Sequence, residues 1–98
     1  MNKEEIKLWL SQYGISKYTI HDNLVVDVHQ QVSIYRANLT SLPFQFGIIE
    51  GYFDCDGNKL TSLDHCPKIV HDDFFCDDYL KNDIRYLRYF LAKQLSEL

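Results

Sequence analysis

Leu39-Thr40-Ser41-Leu42 and Leu60-Thr61-Ser62-Leu63 are the same tetrapeptide twenty-one residues apart, and the same step aligns most of what surrounds them. Ile48 falls on Ile69, Ile49 on Val70, Phe53 on Phe74, Cys55 on Cys76 and Asp56 on Asp77. A chance match would not carry its apolar neighbours with it, so the step marks a repeated structural unit. One period earlier, Val32 lies under Phe53, Ile34 under Cys55 and Asn38 under Lys59, and a degenerate first unit begins near Val28.

Three short strands follow from this alignment: Val32 to Ile34, Phe53 to Cys55 and Phe74 to Cys76. Side chains alternate across a strand, and repeated units stack in register. Val32, Phe53 and Phe74 are therefore expected to form one buried ladder, and Ile34, Cys55 and Cys76 the next. Leu39, Leu42, Leu60 and Leu63 close the core from the opposite wall. The outward positions are then Ser33, Tyr35, Tyr52, Asp54 and Phe75.

Outside the repeats the periodicity changes. Ile6, Trp9, Leu10 and Tyr13 recur at helical spacing, and Gly14 ends that helix. Tyr18-Thr19-Ile20 and Leu24-Val25-Val26-Asp27-Val28 flank the turn-forming His21-Asp22-Asn23 and read as a hairpin. From Asp78 onward, Leu80, Ile84, Leu87, Leu91, Leu95 and Leu98 share one helical face, with Asp77 and Asp78 as N-cap candidates. The leucine face is expected to seal the last repeat, while Tyr79, Tyr86 and Phe90 widen the apolar arc beyond what one contact needs. The expected organisation is one α+β domain over residues 1–98: a capping helix at 1–15, hairpin and repeats at 16–77, and a C-terminal helix at 78–98.

Composition narrows the function classes. The chain has 46% hydrophobic and 14% aromatic residues, enough for one compact core, and a net charge of −4, which argues against nonspecific binding to nucleic-acid phosphate. Its charged opening, Met1-Asn2-Lys3-Glu4-Glu5, reads as neither signal peptide nor membrane span. Three cysteines without a CxxC pair fit a reducing compartment, so a cytoplasmic location is expected.

The run from Leu39-Thr40-Ser41-Leu42-Pro43 through Phe46-Gly47-Ile48-Ile49-Glu50-Gly51-Tyr52-Phe53-Asp54-Cys55-Asp56-Gly57-Asn58 to Cys66-Pro67-Lys68-Ile69-Val70 resembles short leucine-rich-repeat-like proteins of bacteriophages and bacteria. The resemblance spans roughly Val28 to Asp77. It implies a short solenoid with a small parallel sheet, an N-terminal hairpin and helical caps at both ends. It also implies that Asn58 turns the chain by hydrogen bonding to the backbone, a role its amide side chain can fill. The third unit departs from the pattern, with Asp78-Tyr79-Leu80 where Gly57-Asn58-Lys59 stands in the second. What the resemblance implies for function is protein binding. A phage origin extends this to a small effector in the host bacterial cytoplasm, inhibiting a host protein such as a CRISPR or other nuclease defence complex.

No residue set carries a catalytic signature. Cys55, Cys66, Cys76, His65 and His71 include suitable zinc ligands, but their spacing favours small core residues, with an exposed thiol open at Cys66 in the loop before Pro67. Asp54-x-Asp56-Gly57-Asn58 lacks the bidentate Glu of an EF-hand. No metal, cofactor or catalytic residue is expected. The acidic stretch Asp54, Asp56, Asp64, Asp72, Asp73, Asp77, Asp78 and Asp83 reads as a solvated edge or as a mimic of nucleic-acid phosphates toward a basic partner. Phe75, outward on its strand, is either covered by the C-terminal helix or an exposed anchor.

The sequence thus points to a non-enzymatic protein-binding module that acts by steric or acidic-surface blocking through Tyr35, Tyr52, Asp54, Asp72, Asp73, Phe75, Tyr86 and Phe90. The expected partner is a bacterial host protein, including nucleic-acid-binding proteins and complexes, with no direct contact to nucleic acid or membrane. The alternative is a structural protein that homodimerises through its C-terminal helix.

Overall fold

The computed structural model describes residues 1–96. Helix α1 (Lys3–Gln12) precedes seven strands: β1 (Tyr18–Ile20), β2 (Val26–Val28), β3 (Val32–Ser33), β4 (Phe46–Ile49), β5 (Phe53–Asp54), β6 (Ile69–Val70) and β7 (Phe74–Phe75). A 3₁₀ turn, Asp78–Leu80, and helix α2 (Ile84–Ser96) complete the chain. The architecture is α+β, with two small sheets between terminal helices.

The 21-residue step is the register of both sheets. In the sheet β3-β5-β7 all strands are parallel, pairing Val32 with Phe53 and Phe53 with Phe74. In the sheet β1-β2-β4-β6, β4 and β6 are parallel with Ile48 on Ile69 and Ile49 on Val70. The antiparallel β1-β2 hairpin forms its edge, pairing Tyr18 with Val28 and Ile20 with Val26. The sequence reading found the three-stranded sheet and the hairpin but assigned no strand to Phe46–Ile49 or Ile69–Val70. These segments do not alternate cleanly in polarity, and β4 carries a bulge against β2, where Val26 meets Phe46 but Val28 meets Ile49. At that bulge a Cβ on Gly47 would collide with the carboxylate of Asp27, which accepts the Ile48 N–H at 2.8 Å.

Both expected ladders are buried: Val32, Phe53 and Phe74, then Ile34, Cys55 and Cys76. Leu42, Leu60 and Leu63 are buried on the opposite wall, with Leu39 packed at its margin. Phe46 from one sheet meets Phe53 from the other at 5.1 Å between ring centroids. A line of such contacts crosses the molecule from Trp9 of α1 through Phe46, Phe53 and Phe74 to Tyr89 of α2. Cys66 is also buried, so the exposed thiol considered for the loop before Pro67 is not there.

Asn58 ties two units together. Its amide nitrogen donates to the carbonyls of Ile34 (2.8 Å) and Cys55 (2.9 Å), and its oxygen accepts the Leu39 N–H at 2.9 Å. A buried amide so satisfied is stabilising, whereas an apolar replacement strands three backbone groups. Gly51 serves the same stacking by absence: a Cβ there would sit 2.8 Å from the backbone nitrogen of Gln31.

The C-terminal segment corrects the sequence reading in three ways. The helix does not run unbroken from Asp78; a separate 3₁₀ turn comes first, with Leu80 buried beneath it. Asp77 makes no side-chain cap, and the side chain that caps α2 is Asp83, whose carboxylate accepts the Arg85 N–H at 2.9 Å. The leucine face points to solvent: Ile84, Leu87, Leu91 and Leu95 are 40–68% exposed, and no residue of α2 is buried. Leu98, expected on that face, lies outside the described residues. Tyr86 and Tyr89 take the inward place, with ring centroids 5.7 and 5.4 Å from Phe74. The hydroxyl of Tyr89 accepts the Phe74 N–H at 3.1 Å, which no leucine could do.

Candidate interaction surface

The outward face of β3-β5-β7 collects the residues singled out from sequence. Ser33, Asp54 and Phe75 form its central row by strand register. Two residues before, Tyr52 precedes Asp73; two residues after, Tyr35, Asp56 and Asp77 line up. Tyr35 is 49% and Phe75 46% exposed, while Tyr52, Asp54, Asp56 and Asp77 are half-buried. The rings of Tyr52 and Phe75 meet edge to face at 6.3 Å, and the Arg36 guanidinium lies 5.2 Å from the Tyr35 ring. Helix α2 packs on Phe74 rather than over Phe75, which leaves Phe75 as an open aromatic.

The other predicted residues divide. Phe90 is 45% exposed and stacks at 6.4 Å on Tyr86, but Tyr86 itself packs against the core and is half-buried. Asp72 and Asp73 are held at the edge of β7 by α2: Lys93 Nζ donates to the Asp72 carbonyl (3.2 Å) and the Asp73 carboxylate (3.1 Å). A groove of about 590 Å³ runs between the edge of β7 and α2, lined by Phe75, Asp77, Tyr86, Phe90 and Lys93 among others.

The aspartates do not form one uniform edge. Asp64 and Asp83 share Arg85, Asp78 pairs with Lys81 at 3.0 Å, and Asp73 pairs with Lys93. The Arg85 guanidinium lowers the Asp64 carboxyl. Burial pushes Asp83 up, but hydrogen bonds from Arg85 and the Leu63 N–H outweigh it and the net shift is down. Asp54, Asp56 and Asp77 have no cationic partner among the described residues. The Gly57 N–H is shared by Oδ1 of Asp56 (3.1 Å) and Oδ1 of Asp77 (3.2 Å), so two carboxyls crowd one donor. The neighbouring Asp77 carboxyl, then burial, holds the Asp56 carboxyl above its ordinary value. The buried Oδ2 of Asp77 has no hydrogen-bond partner among the described residues.

The thiols are held in their neutral form. Burial pushes Cys66 up to about 12 and Cys76 to about 11, and raises Cys55 further. A thiolate nucleophile or ligand is disfavoured at each. Among the described residues no group of three or more His, Cys, Asp or Glu side chains is arranged to hold a metal ion.

Sequence reasoning missed a polar network on the far sheet. Thr19 Oγ1 meets His29 Nε2 at 2.8 Å, and His29 Nδ1 meets Glu50 at 2.6 Å; beside them His21 Nε2 meets Asp27 at 2.7 Å. His29 and Glu50 are one repeat apart, as are Asp27 and Ile48, so the period carried a usable signal. The Ile48 N–H, followed by His21, lowers the Asp27 carboxyl. His29 and Glu50 are each more than 40% exposed, so water competes for their contact. Among the described residues no helix is long and apolar enough to cross a membrane. Compared with known protein families, curated proteins and solved structures, the chain matches none.

Proposed function

We propose that this chain is a short leucine-rich-repeat-like solenoid that acts as a non-enzymatic protein-binding module, with the outward face of β3-β5-β7 as its recognition surface. The observation that carries the reading is the Tyr52–Phe75 pair on the same sheet face as exposed Tyr35. Three aromatic side chains stand on one rigid face where the strand alternation would ordinarily leave polar residues. Aromatic anchors on a fixed scaffold lose little conformational freedom on binding. Asp54 sits within this face and Asp72 and Asp73 at its rim, favouring a basic partner surface. The resemblance to phage proteins directs the search toward bacterial host proteins in the cytoplasm, defence nucleases among them, blocked sterically or by the acidic residues.

Tyr52→Ala with Phe75→Ala should leave the circular dichroism spectrum unchanged and abolish partner capture from host lysate. Retained capture by the folded double variant would remove this surface from consideration. A second reading, homodimerisation through α2, has its own observation in the solvent-facing Ile84, Leu87, Leu91 and Leu95. Light scattering at high concentration separates the two, because only self-association predicts a doubled mass that Leu91→Glu returns to the monomer.

A further inference from the structure

The last strand of the three-stranded sheet is unfinished. In a parallel ladder alternate residues bond to opposite neighbours. Phe53 and Cys55 therefore donate to the Asp73 and Phe75 carbonyls at 2.9 Å, and their equivalents Phe74 and Cys76 turn their own N–H groups away from β5. The Phe74 N–H meets the Tyr89 hydroxyl, which stands where the carbonyl of a following strand would be. Nothing among the described residues accepts from the Cys76 N–H or donates to the Phe74 carbonyl. The groove of about 590 Å³ opens at this point.

We propose that the edge of β7 beyond the Tyr89 contact, together with this groove, binds an extended peptide carrying an arginine or lysine, added as a fourth parallel strand against the Phe74 carbonyl and the Cys76 N–H. Strand addition of this kind takes its affinity from main-chain hydrogen bonds and its selectivity from alternate side chains. Here the alternation is set by the sheet. A side chain next in line after Asp54 and Phe75 meets a phenyl ring and is apolar. The one beyond Cys76 faces inward, near Tyr86, and is small. The next extends the row Tyr35, Asp56, Asp77, where two carboxyls lie side by side without a cation and Oδ2 of Asp77 has no hydrogen-bond partner. A guanidinium or ammonium placed there faces two carboxyls that no cation of the described residues neutralises. The motif is apolar, small, basic in consecutive positions. Lys93 and Lys81, which also line the groove, are already engaged by Asp73 and Asp78.

This inference rests on the reading of the chain as a protein-binding module, and its test is independent of that reading. A fluorescein-labelled peptide, Ser-Thr-Val-Ala-Arg-Thr-Ser, is titrated against the intact protein by anisotropy, with amide shifts followed by NMR. Saturable binding is expected, with shifts centred on residues 74–77. Replacing the peptide Arg by Glu, or N-methylating its Val and Arg amides, should each weaken binding at least tenfold. Asp56→Asn with Asp77→Asn in the protein, checked for folding by circular dichroism, should reduce the Arg-over-Glu preference below about threefold. The proposal is overturned if no saturable binding is seen at about millimolar peptide, or if the Arg, Glu and N-methylated peptides bind alike. Loss of lysate capture by the Tyr52 and Phe75 variant alongside a silent peptide titration would discard the edge and keep the module.

Discussion

The two terminal helices solve the same problem with opposite chemistry. Helix α1 buries Ile6 and Leu10 completely, packs Trp9 on Phe44 at 5.2 Å, and starts with a reciprocal cap in which Asn2 and Glu5 satisfy each other's backbone N–H groups. Helix α2 buries nothing completely. It is held by the tyrosine rings on Phe74, by two hydrogen-bonding side chains on the β7 edge, and by Arg85 bridging Asp64 and Asp83. The first helix is part of the core, whereas the second is fastened to a sheet edge. A strand edge offers main-chain donors and acceptors as well as apolar surface, so amphipathic tyrosine and lysine are the better fit there.

The sharpest test of this contrast removes one leucine from each helix. Leu10→Ala should cost about 3 kcal/mol, in the range for a fully enclosed leucine, whereas Leu91→Ala should fall within about 0.5 kcal/mol, both read from urea unfolding. Equal losses would place the leucine face of α2 in a contact and end the distinction. Next in size, Asp83→Ala should cost about 2 kcal/mol, because one carboxylate holds the Arg85 and Leu63 N–H groups and the guanidinium, against about 1 kcal/mol for Asn2→Ala at the start of α1. Tyr89→Phe keeps the ring and loses the hydroxyl. A loss of about 1 kcal/mol, with faster amide exchange at Phe74, is expected.

The smallest effect is on pH. Asp64 and Asp83 are both depressed below the ordinary carboxylate value of 3.8, so their contribution is complete above that value and is lost as the pH falls through their folded-state values. Asp56 has the reverse sign: its raised carboxyl favours the fold while protonated, and that contribution fades as the pH rises through its folded-state value. Acidification below 3.8 should therefore release α2 before α1, and hydrogen exchange resolved by helix measures it. Simultaneous loss of protection in both helices would argue against a separately fastened end.

How legible all this was depended on what each residue had to satisfy. The inward ladder from Val32 to Phe74 demands an apolar residue at every repeat, so the period displays it openly. The sheet containing β4 and β6 uses the same period, but Phe46-Gly47-Ile48-Ile49 exposes Ile48 and carries a bulge, so no alternation marks it as a strand. For α2 the leucines supplied a clear helical face and the wrong direction. Hydrophobic periodicity weighs carbon surface, whereas the deciding partners were the Phe74 N–H and the Asp72 carbonyl, which belong to no side chain. The face bearing Tyr35, Tyr52 and Phe75 followed from alternation alone. The crowding of Asp56 and Asp77 was implicit in their spacing of one repeat.

The shared register of the two sheets has a consequence for how such a chain can change length. Every strand-to-strand hydrogen bond from β3 to β7 spans one repeat, and neither helix contacts more than its own end of the stack through those bonds. Inserting a whole unit of residues 39–59 would therefore translate α2 away from α1 by one strand spacing, about 4.8 Å, with every ladder intact. Inserting a single residue within one of these strands would turn an inward phenylalanine outward. The molecule has a quantum of growth, one repeat set between two ends of unlike chemistry.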